Sequence, residues 1–456
     1  MHDLSPVTSN QQTASAHEPE ATESAGGQPA CPTTRAILTM VLAGLAIRLM
    51  VIPFTYPDHL DPQRHHWRFA WEMGMVARSI VTGKGFSSPY VGDTGPTAWF
   101  PPLYPYLLAG VFQVFGLFTK ASAIAILALN SIFSALTVIP VFAIARRTLS
   151  DRVARYAGWL WAFFPYSIWA AAERIWENAL TTLLLAILVW LTLVLDEKAT
   201  ARRCIGYGLL WGVAALSNPA VLAVFPLLLG WLCWRGYRRG EKWFSSAVLA
   251  VVMLVLVVAP WDVRNYLVLH KVLPLRDNFW VEVRVGNTGD LSDIYPDWAI
   301  PSTSAAQWNE LHRVGEIAYI GEMRTLALRF IRDNPGVFVW LSWKRFVFVW
   351  TGFWSLDPDY ARNEPLQIPN TIFCSTLTVL MLTGLVLMWR NRREWFLPFA
   401  AVLGAYPAVY YITHPTMDYR HPIDPMLVIL VAYAVSSFLD ARRSRRSNAE
   451  AGAVAP

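Results

Sequence analysis

Residues 65–110 read HHWRFAWEMGMVARSIVTGKGFSSPYVGDTGPTAWFPPLYPYLLAG, and this stretch decides how the rest of the chain is interpreted. It follows a long apolar run and holds carboxylates, cations, aromatic residues and a proline-rich turn before a second apolar stretch. Ordering such a loop costs conformational entropy, and a simple connector between membrane spans needs no such composition. We therefore predict an active-site element that rests on a membrane surface, within a first outer loop at 56–121.

The composition of the whole chain indicates an all-α polytopic membrane protein with about ten transmembrane helices. The 456 residues are 55% hydrophobic and only 15% charged, whereas soluble domains have about 25% charged residues. Many apolar runs approach the roughly 20 residues that cross about 30 Å of hydrocarbon. The predicted spans are 36–55, 122–145, 153–171, 177–195, 204–217, 219–234, 243–261, 368–389, 395–412 and 423–439.

Basic residues cluster between these runs and set the predicted orientation. The clusters occur at 146–155, 198–203, 235–242, 390–393 and 442–446. Because cytoplasmic loops carry an excess of lysine and arginine, both termini are expected in the cytoplasm of a bacterial-type plasma (inner) membrane. The net charge of +6 comes from these clusters and therefore gives no argument for nucleic-acid binding.

The chain divides into three predicted parts. Residues 1–34 are polar and lack an apolar run, which indicates a disordered cytoplasmic tail. Residues 35–440 form the transmembrane domain, which includes the outer loop at 56–121 and a larger one at 262–367. Residues 441–456 are predicted to be a second disordered cytoplasmic tail.

Two apolar segments are predicted to lie in the membrane interface. Pro102–Gly116 is short for a span. Pro335–Trp354 is long enough, but Lys344 and Arg345 lie near its middle, and each would cost about 2.5–3.5 kcal/mol at the centre of a span. Counting either segment as a span would also place a cluster of arginines outside the cell.

Carboxylates in the first outer loop are candidate general bases, since a hydroxyl nucleophile needs a proton acceptor. Glu72 is the leading candidate, and its alternative is a helix-surface ion pair with Arg68 at i, i+4. Asp58 and Asp61 follow the first span and are further candidates, or else partners of Arg48. Arg48 itself lies within that span, where an arginine is functional or extends its head to the interface.

A second pair of acids occurs where the chain re-enters the membrane. Glu173 and Glu177 are held near the interface, where an isolated carboxylate is costly. The alternative is a carboxylate that stabilises the N-terminus of the following helix. Two carboxylates on separate outer loops are a plausible pair around one reaction centre.

Cations beyond the seventh predicted span are candidate ligands for a lipid phosphate. APWDVRNY at 259–266 contains Arg264, and KVLPLRDNF at 271–279 contains Arg276. Arginine binds phosphate through two parallel hydrogen bonds. Ordinary juxtamembrane charge is the alternative, although cations on the outer face run against the positive-inside trend.

The short loop HPTMDYRHPIDP at 414–425 is unusually polar for a connector between two spans. Arg420 and His421 are its candidate substrate-binding residues, and a proline-rich turn with local hydrogen bonds is the alternative. Its histidines and aspartates follow no recognised metal spacing. The four cysteines show no metal spacing either, and no disulfide is expected. No metal ligand is assigned, although a divalent cation stays open as a cofactor.

Several of these motifs together resemble the GT-C superfamily of membrane glycosyltransferases, in the branch of protein O-mannosyltransferases and lipid A aminoarabinose transferases. The resemblance covers about 36–440. It is carried by one span followed by an acid-bearing outer loop, by ARSIVTGKGF at 77–86, by GPTAWFPPLYP at 95–105, and by the second outer acid. APWDVRNY and DYRHPIDP are similar to late motifs of bacterial members.

The resemblance implies a polyprenyl-phosphate-linked sugar as donor and transfer with inversion. Glu72 would be the base, Glu177 the second carboxylate and Arg264 the phosphate ligand. The chain departs from the family in two places: an Asp-Glu dipeptide is absent around Glu72, and a lysine before the Pro-Pro pair is Phe100 here. Lys84 is a candidate replacement for that lysine.

The resemblance leaves the acceptor open among a lipid, a glycan and a protein hydroxyl, with membrane lipids as further partners. Tyr104, in the proline-rich segment, is an additional candidate for substrate binding. A transporter or flippase of lipid-linked saccharides is the alternative function. Transporters place polar groups near the bilayer midplane and often contain broken helices, and Asn218-Pro219 alone favours that alternative. A non-catalytic scaffold is the third possibility.

Overall fold

A computed structural model of the chain describes residues 32–60, 69, 71–241, 243–289, 294, 296–364 and 366–453. Regular structure in these ranges is helical, apart from one isolated antiparallel bridge that joins Ser87 to Pro96. The predicted all-α class is therefore confirmed.

The helices are α1 (Pro32–His59), α2 (Trp71–Val81), α3 (Leu103–Phe115), α4 (Lys120–Leu136), α5 (Val138–Thr148), α6 (Asp151–Ala162), α7 (Pro165–Glu173), α8 (Asn178–Glu197), α9 (Ala201–Ser217), α10 (Phe225–Arg238), α11 (Phe244–Leu269), α12 (Phe279–Gly286), α13 (Ala305–Val314), α14 (Glu316–Asp333), α15 (Pro335–Thr351), α16 (Pro358–Asn363), α17 (Gln367–Asn391), α18 (Arg393–Ala405), α19 (Ala408–Ile412), α20 (Met417–Arg420) and α21 (Asp424–Ala453). Short 3-10 helices occupy Pro219–Ala223, Asp297–Ala299 and His421–Ile423.

Eight helical segments in the described ranges are long and apolar enough to cross a membrane, two fewer than the ten spans predicted. They are Thr33–His59, Lys120–Thr148, Asn178–Glu197, Pro219–Arg238, Phe244–Leu269, Gln367–Asn391, Arg393–Ile412 and Met417–Arg446. The predicted span 153–171 is divided between α6 and α7, because Pro165 begins a new helix and cannot donate to the preceding turn. The predicted span 204–217 lies in α9, which has 17 residues.

The two segments assigned to the membrane interface form short helices. Residues 102–116 contain α3, an apolar helix of 13 residues, and 335–354 contain α15, which has 17. Arg345 on α15 is buried and donates to the carbonyl oxygens of Gly286 and Tyr411. The interfacial location of both helices stays a prediction.

The terminal boundaries differ from the predicted ones. Helix α1 already begins at Pro32, inside the tail predicted at 1–34, and residues 1–31 lie outside the described ranges. At the other end α21 continues to Ala453, so residues 441–453 are helical rather than disordered as predicted. No helix-breaking residue separates the apolar last span from the arginine-rich segment, so one helix contains both.

Arg48 is buried inside the helix bundle and does not extend to the interface. Its guanidinium donates to Ser134 Oγ (3.0 Å), Ser167 Oγ (2.6 Å) and the carbonyl oxygens of Gly44 (2.7 Å) and Ala162 (2.9 Å). A buried arginine is tolerated when such acceptors surround it. Arg48 therefore joins α1 to α4, α6 and α7.

The described parts of the loop at 56–121 (the first loop) and of the loop at 262–367 (the second loop) pack on one another. Arg264, near the C-terminal end of α11, donates to the carbonyl oxygens of Thr97 (2.6 Å) and Phe86 (2.7 Å) in the first loop. The backbone N–H of Asp277 donates to Ala98 O (3.0 Å). Glu316, the first residue of α14, accepts from Thr97 Oγ1 and from the Ala98 N–H (2.8 Å). These contacts fix α2 and α3 against the second loop.

Candidate active site

A cavity of about 370 Å³ lies where the first and second loops meet the ends of the helices, and we call it the reaction cavity. The first loop supplies Glu72, Tyr90, Trp99 and Phe100. The other lining residues used below are Trp176, Glu177, Asn218, Pro274, Arg276, Phe279, Glu282, Tyr410, His414 and Tyr419. A pocket of this size with a few convergent polar groups is the usual form of a small-molecule site.

Glu72, in the first turn of α2, points into the reaction cavity from the first loop. Its Oε1 accepts a hydrogen bond from the Tyr90 hydroxyl (2.9 Å). Burial, with a further contribution from the nearby Glu282 carboxylate, raises the pKa of Glu72 to about 8. The hydrogen bond from Tyr90 and the charge of Arg276 oppose this shift. Arg68, the alternative partner, lies outside the described residues.

Glu177 enters the same cavity as the N-cap residue of α8 and is 4% exposed. Its Oε1 accepts from Asn218 Nδ2 (3.2 Å), while Oε2 has no hydrogen-bond partner among the described residues. Burial raises the pKa of Glu177 to about 7, against the effects of Arg276 and Asn218. A buried carboxylate oxygen without a partner indicates a place for a ligand hydroxyl.

Arg276 is the cation of the reaction cavity. Its Nε donates to Asn278 Oδ1 (2.6 Å), and its Nη2 lies 3.7 Å from Glu282 Oε1. Asn278 Nδ2 also donates to Glu282 Oε1 (2.8 Å). Burial raises the pKa of Glu282, and Arg276 opposes the rise. The Arg276 guanidinium thus lies near the carboxylates of Glu72, Glu177 and Glu282, which come from three parts of the chain.

His414 and Tyr419 close the side of the cavity that α18–α20 provide. His414 Nδ1 lies 3.2 Å from Glu282 Oε2, and Nε2 lies 3.3 Å from the Tyr419 hydroxyl. Burial, with repulsion from Arg345 and Arg276, lowers the pKa of His414 to about 3. His414 is therefore a neutral imidazole at physiological pH.

Aromatic rings form much of the remaining wall. Tyr90 and Trp99 meet edge to face with centroids 5.4 Å apart, and Phe100 meets Trp176 in the same way at 5.8 Å. Tyr410 and Tyr419 stack at 4.6 Å. Rigid aromatic faces beside carboxylates suit a ring that is apolar on one face and carries hydroxyl groups, such as a sugar.

Of the candidate residues named from the sequence, the fold brings Glu72, Glu177 and Arg276 together in the lining of the reaction cavity. Arg264 is instead held by the loop carbonyl oxygens and by Trp261, whose ring centroid lies 4.9 Å from its guanidinium carbon. Lys84 is exposed and pairs with Asp93 (2.9 Å). Neither residue lines the reaction cavity.

Four other candidates also lie away from the cavity lining. Tyr104 is buried, and its hydroxyl shares hydrogen bonds with Asn130. Arg420 donates to Asp424 Oδ1 (3.0 Å), and His421 Nδ1 lies 3.2 Å from Asp424 Oδ2. Glu173 ends α7 outside the lining.

Of the two aspartate candidates of the first loop, only Asp58 lies within the described residues. Asp58 lies in the last turn of α1 and outside the cavity lining. Asp61 lies outside the described residues.

Several lining residues were not assigned from sequence. His414 and Tyr419 belong to the polar 414–425 loop, but the choice within that loop fell on Arg420 and His421. Glu282 follows Arg276 by six residues, and only the tertiary fold reveals that it faces the cavity. Asn218, interpreted as a helix break, caps the 3-10 helix at Pro219–Ala223 through Ala220 N (3.0 Å) and binds Glu177.

The described residues do not fit a protein-bound metal ion. No group of three His, Cys, Asp or Glu side chains within them converges at metal-ligand spacing. Glu72, Glu177 and Glu282 share the cavity with Arg276, a cation that already compensates their charge. A divalent cation therefore stays an untested prediction, and no chemical step below depends on it.

Comparison with known proteins confirms the predicted resemblance to GT-C glycosyltransferases. Residues 100–262 match the family model described as dolichyl-phosphate-mannose-protein mannosyltransferase. The oligosaccharyltransferase of Archaeoglobus fulgidus in its apo form superposes with a TM-score of 0.50 at 14% identity, over 92% of this chain and 52% of that one. This chain therefore spans about half the length of the oligosaccharyltransferase. No curated protein matches the sequence.

A weaker likeness links the chain to a bacterial enzyme. ArnT from Cupriavidus metallidurans, solved with bound undecaprenyl phosphate, gives a TM-score of 0.36 at 15% identity over 88% of this chain and 77% of that one. The apolar helices indicate an integral multi-pass membrane protein, and residues 100–262 resemble a mannosyltransferase family.

Proposed function

We propose that this GT-C membrane protein transfers one sugar from a polyprenyl-phosphate donor to an acceptor hydroxyl, with inversion, at the outer membrane face. The observation that carries the proposal is the reaction cavity, in which Glu72 and Glu177 from separate loops lie with Arg276 among aromatic rings. The family-model match across 100–262 supports a glycosyl donor of the dolichyl-phosphate type.

Arg276 is the proposed ligand of the donor phosphate. It is the arginine that lines the reaction cavity, whereas the guanidinium of Arg264 is engaged by the loop carbonyl oxygens. An arginine binds a phosphate through charge-assisted hydrogen bonds and stabilises the charge that develops on it as the sugar leaves. Because the phosphate is a good leaving group, its departure needs no general acid.

Glu72 is the proposed general base. In the transfer step the acceptor hydroxyl gives its proton to Glu72, its oxygen forms the bond to the anomeric carbon, and the bond from that carbon to the phosphate oxygen breaks. The electron pair of the broken bond leaves on the polyprenyl phosphate. Only the ionised carboxylate accepts the proton, so the raised pKa of about 8 restricts the step to neutral and alkaline pH.

Glu177 is the proposed anchor of the sugar hydroxyls. Its Oε1 is held by Asn218, and Oε2 is left available for a hydroxyl donor in the cavity. Tyr410 and Tyr419 stack beside it and form an aromatic wall for the apolar face of the ring. Fixing the ring between a carboxylate and aromatic faces aligns the anomeric carbon with the acceptor.

The proposed location is a bacterial-type plasma (inner) membrane with both termini in the cytoplasm. The arginine-rich segments at 146–155, 235–242 and 390–393 support this orientation by the positive-inside rule. The reaction cavity then faces the outside, where the acceptor is a lipid, a glycan or a protein hydroxyl. Membrane lipids surround the spans.

The test is a transfer assay with purified protein in lipid nanodiscs and a panel of radiolabelled polyprenyl-phosphate sugars. Release of free polyprenyl phosphate by the wild type, with loss in Glu72→Gln, is the expected result. Glu322→Gln is the matched control, since Glu322 is an exposed carboxylate on α14 outside the cavity. Release that survives in Glu72→Gln moves the base to Glu177. In sealed proteoliposomes, movement of the sugar lipid across the bilayer without release would establish the flippase instead.

A further inference from the structure

A second cavity, of about 340 Å³, lies beside the reaction cavity, and we call it the outer cavity. Its cations are Lys271, Arg276 and Arg324, and its one acidic lining residue is Asp277. Arg276, Pro274 and Phe279 line both cavities, so one guanidinium lies at the wall between them.

The floor of the outer cavity is tied to the end of α11. His270 and Leu275 adopt left-handed backbone angles (φ 53° and 62°), which turn the chain back after the helix. Asp262 Oδ1 then accepts from Leu275 N (2.8 Å), and Trp261 Nε1 donates to Leu275 O (2.8 Å). Lys271 is thereby held two residues beyond the end of α11, a helix that is long and apolar enough to span a membrane.

The opposite wall is α14, which carries Arg324. Its guanidinium carbon lies 5.4 Å from the centroid of the Trp280 ring, a cation–π contact that aims the head toward the cavity. Neither Lys271 nor Arg324 makes an ion pair with another described residue. Ile317 and Ile320 add apolar surface next to these cations.

The acidic residue does not neutralise this charge. Asp277 is 5% exposed and lies against Glu316, which is also buried. Burial and this neighbour raise the pKa of Asp277 well above its usual value, and three cations outnumber this one carboxyl group in the lining. The outer cavity is therefore cationic, with an apolar border.

We propose that the outer cavity is a second phosphate-binding site, which takes the phosphate head group of a membrane lipid beside the reaction cavity. Cations at a membrane interface recognise such head groups, and arginine grips a phosphate through two hydrogen bonds. The apolar border fits the start of an acyl or prenyl chain. This site stands on its own residues and does not require that sugar transfer occurs.

The experiment uses full-length protein in phosphatidylcholine nanodiscs and a dodecyl phosphate that carries a photoreactive group on its chain. Irradiation followed by peptide mass spectrometry locates the label. We expect labelling of 317–324 in the wild type and in Glu72→Gln. In Lys271→Ala/Arg324→Ala the concentration needed for that labelling rises at least about tenfold, because two charge-assisted contacts are lost.

Arg329→Ala is the matched control, since Arg329 is another exposed arginine of α14 and does not line the cavity. It is expected to label like the wild type. Unchanged labelling in Lys271→Ala/Arg324→Ala, with a folded protein by gel filtration, overturns the proposal. Because label position is read directly, binding at Arg276 in the reaction cavity is distinguished from binding in the outer cavity.

Competition identifies the source of the phosphate. Suppression of the 317–324 label by phosphatidylglycerol in the nanodisc assigns the site to a bilayer phospholipid, and suppression by polyprenyl phosphate alone assigns it to the donor lipid. Equal suppression by inorganic phosphate overturns the assignment to a lipid head group. Loss of transfer with every donor, while the label still depends on Lys271 and Arg324, would remove the proposed function and leave this site in place.

Discussion

The reaction cavity and the cluster of Arg420, His421 and Asp424 are two buried groups of charged residues that differ in what their atoms contact. In the cluster, both carboxylate oxygens of Asp424 are used by Arg420 and His421. In the cavity, one oxygen of Glu177 has no partner among the described residues. Both groups look equally polar in sequence. The comparison shows that the Glu177 carboxylate keeps one oxygen available for a ligand, whereas the Asp424 carboxylate does not.

The strongest test of this comparison is the removal of the proposed base, Glu72. Glu72→Gln keeps the size of the side chain and its contact with Tyr90 but removes the proton acceptor. We expect kcat to fall by about 10²- to 10⁴-fold, the usual contribution of a general base. Unchanged thermal stability in nanodiscs, measured beside the rate, would show that the loss is chemical. A variant with wild-type kcat would refute the role of Glu72.

Removing Arg276 tests the cation of the cavity. Arg276→Ala is expected to lower kcat/KM for the donor by about 10²- to 10³-fold, because charge stabilisation of the leaving phosphate is lost. Arg276→Lys keeps a charge without the paired donors, and its kcat/KM is expected to lie between those of the wild type and Arg276→Ala. Arg264→Lys is the comparison for a loop-holding arginine. If Arg264→Lys lowers kcat/KM for the donor as much as Arg276→Lys does while the protein stays folded, the phosphate ligand is Arg264.

Disruption of the cluster of Arg420, His421 and Asp424 is expected to lower the stability of the protein. Asp424→Asn leaves a buried guanidinium without its charged partner, and breaking a buried pair costs about 3–5 kcal/mol. The prediction is a clearly lower thermal midpoint in nanodiscs, whereas Glu177→Gln keeps the midpoint and loses transfer. The reverse pattern, with stable Asp424→Asn protein that has lost only activity, would make the cluster part of the site.

The pH dependence sharpens the assignment of the base. Since the pKa of Glu72 is raised to about 8, the ionised and active fraction falls about tenfold per pH unit well below that pH. We expect kcat/KM to rise with pH up to about pH 8 and to level off above about pH 9. A rate that is flat from pH 5 to 9 would exclude a base with a raised pKa.

The smallest expected effect belongs to Tyr90→Phe. The hydroxyl of Tyr90 lowers the pKa of Glu72, so its removal is expected to move the rising limb to higher pH. At neutral pH the rate falls by only about 2- to 10-fold, the value of one hydrogen bond. A purely structural role of Tyr90 would lower activity at all pH values without moving the limb.

The sequence predicted those features that depend on local composition. Apolar runs predicted the helical membrane fold, and the candidate acids included Glu72 and Glu177, two of the three carboxylates that line the cavity. The division of 153–171 depends on Pro165, which a hydropathy window averages with its apolar neighbours. The roles of Arg264 and Lys84 depend on which carbonyl oxygens and carboxylates come near them. Such distances arise only from tertiary packing. For the same reason, the sequence did not identify Glu282 and His414 as residues of the cavity lining.

The network around Arg48 has a consequence for biosynthesis. Its acceptors Ser134 and Ser167 lie 86 and 119 residues further along the chain, so they are made well after the first helix. Until they are inserted, Arg48 carries a guanidinium into the bilayer at a cost of about 2.5–3.5 kcal/mol. We therefore expect the first helix to reach its final position only after the fourth, sixth and seventh helices have been inserted. The order in which the ribosome delivers these segments thus governs when the bundle closes.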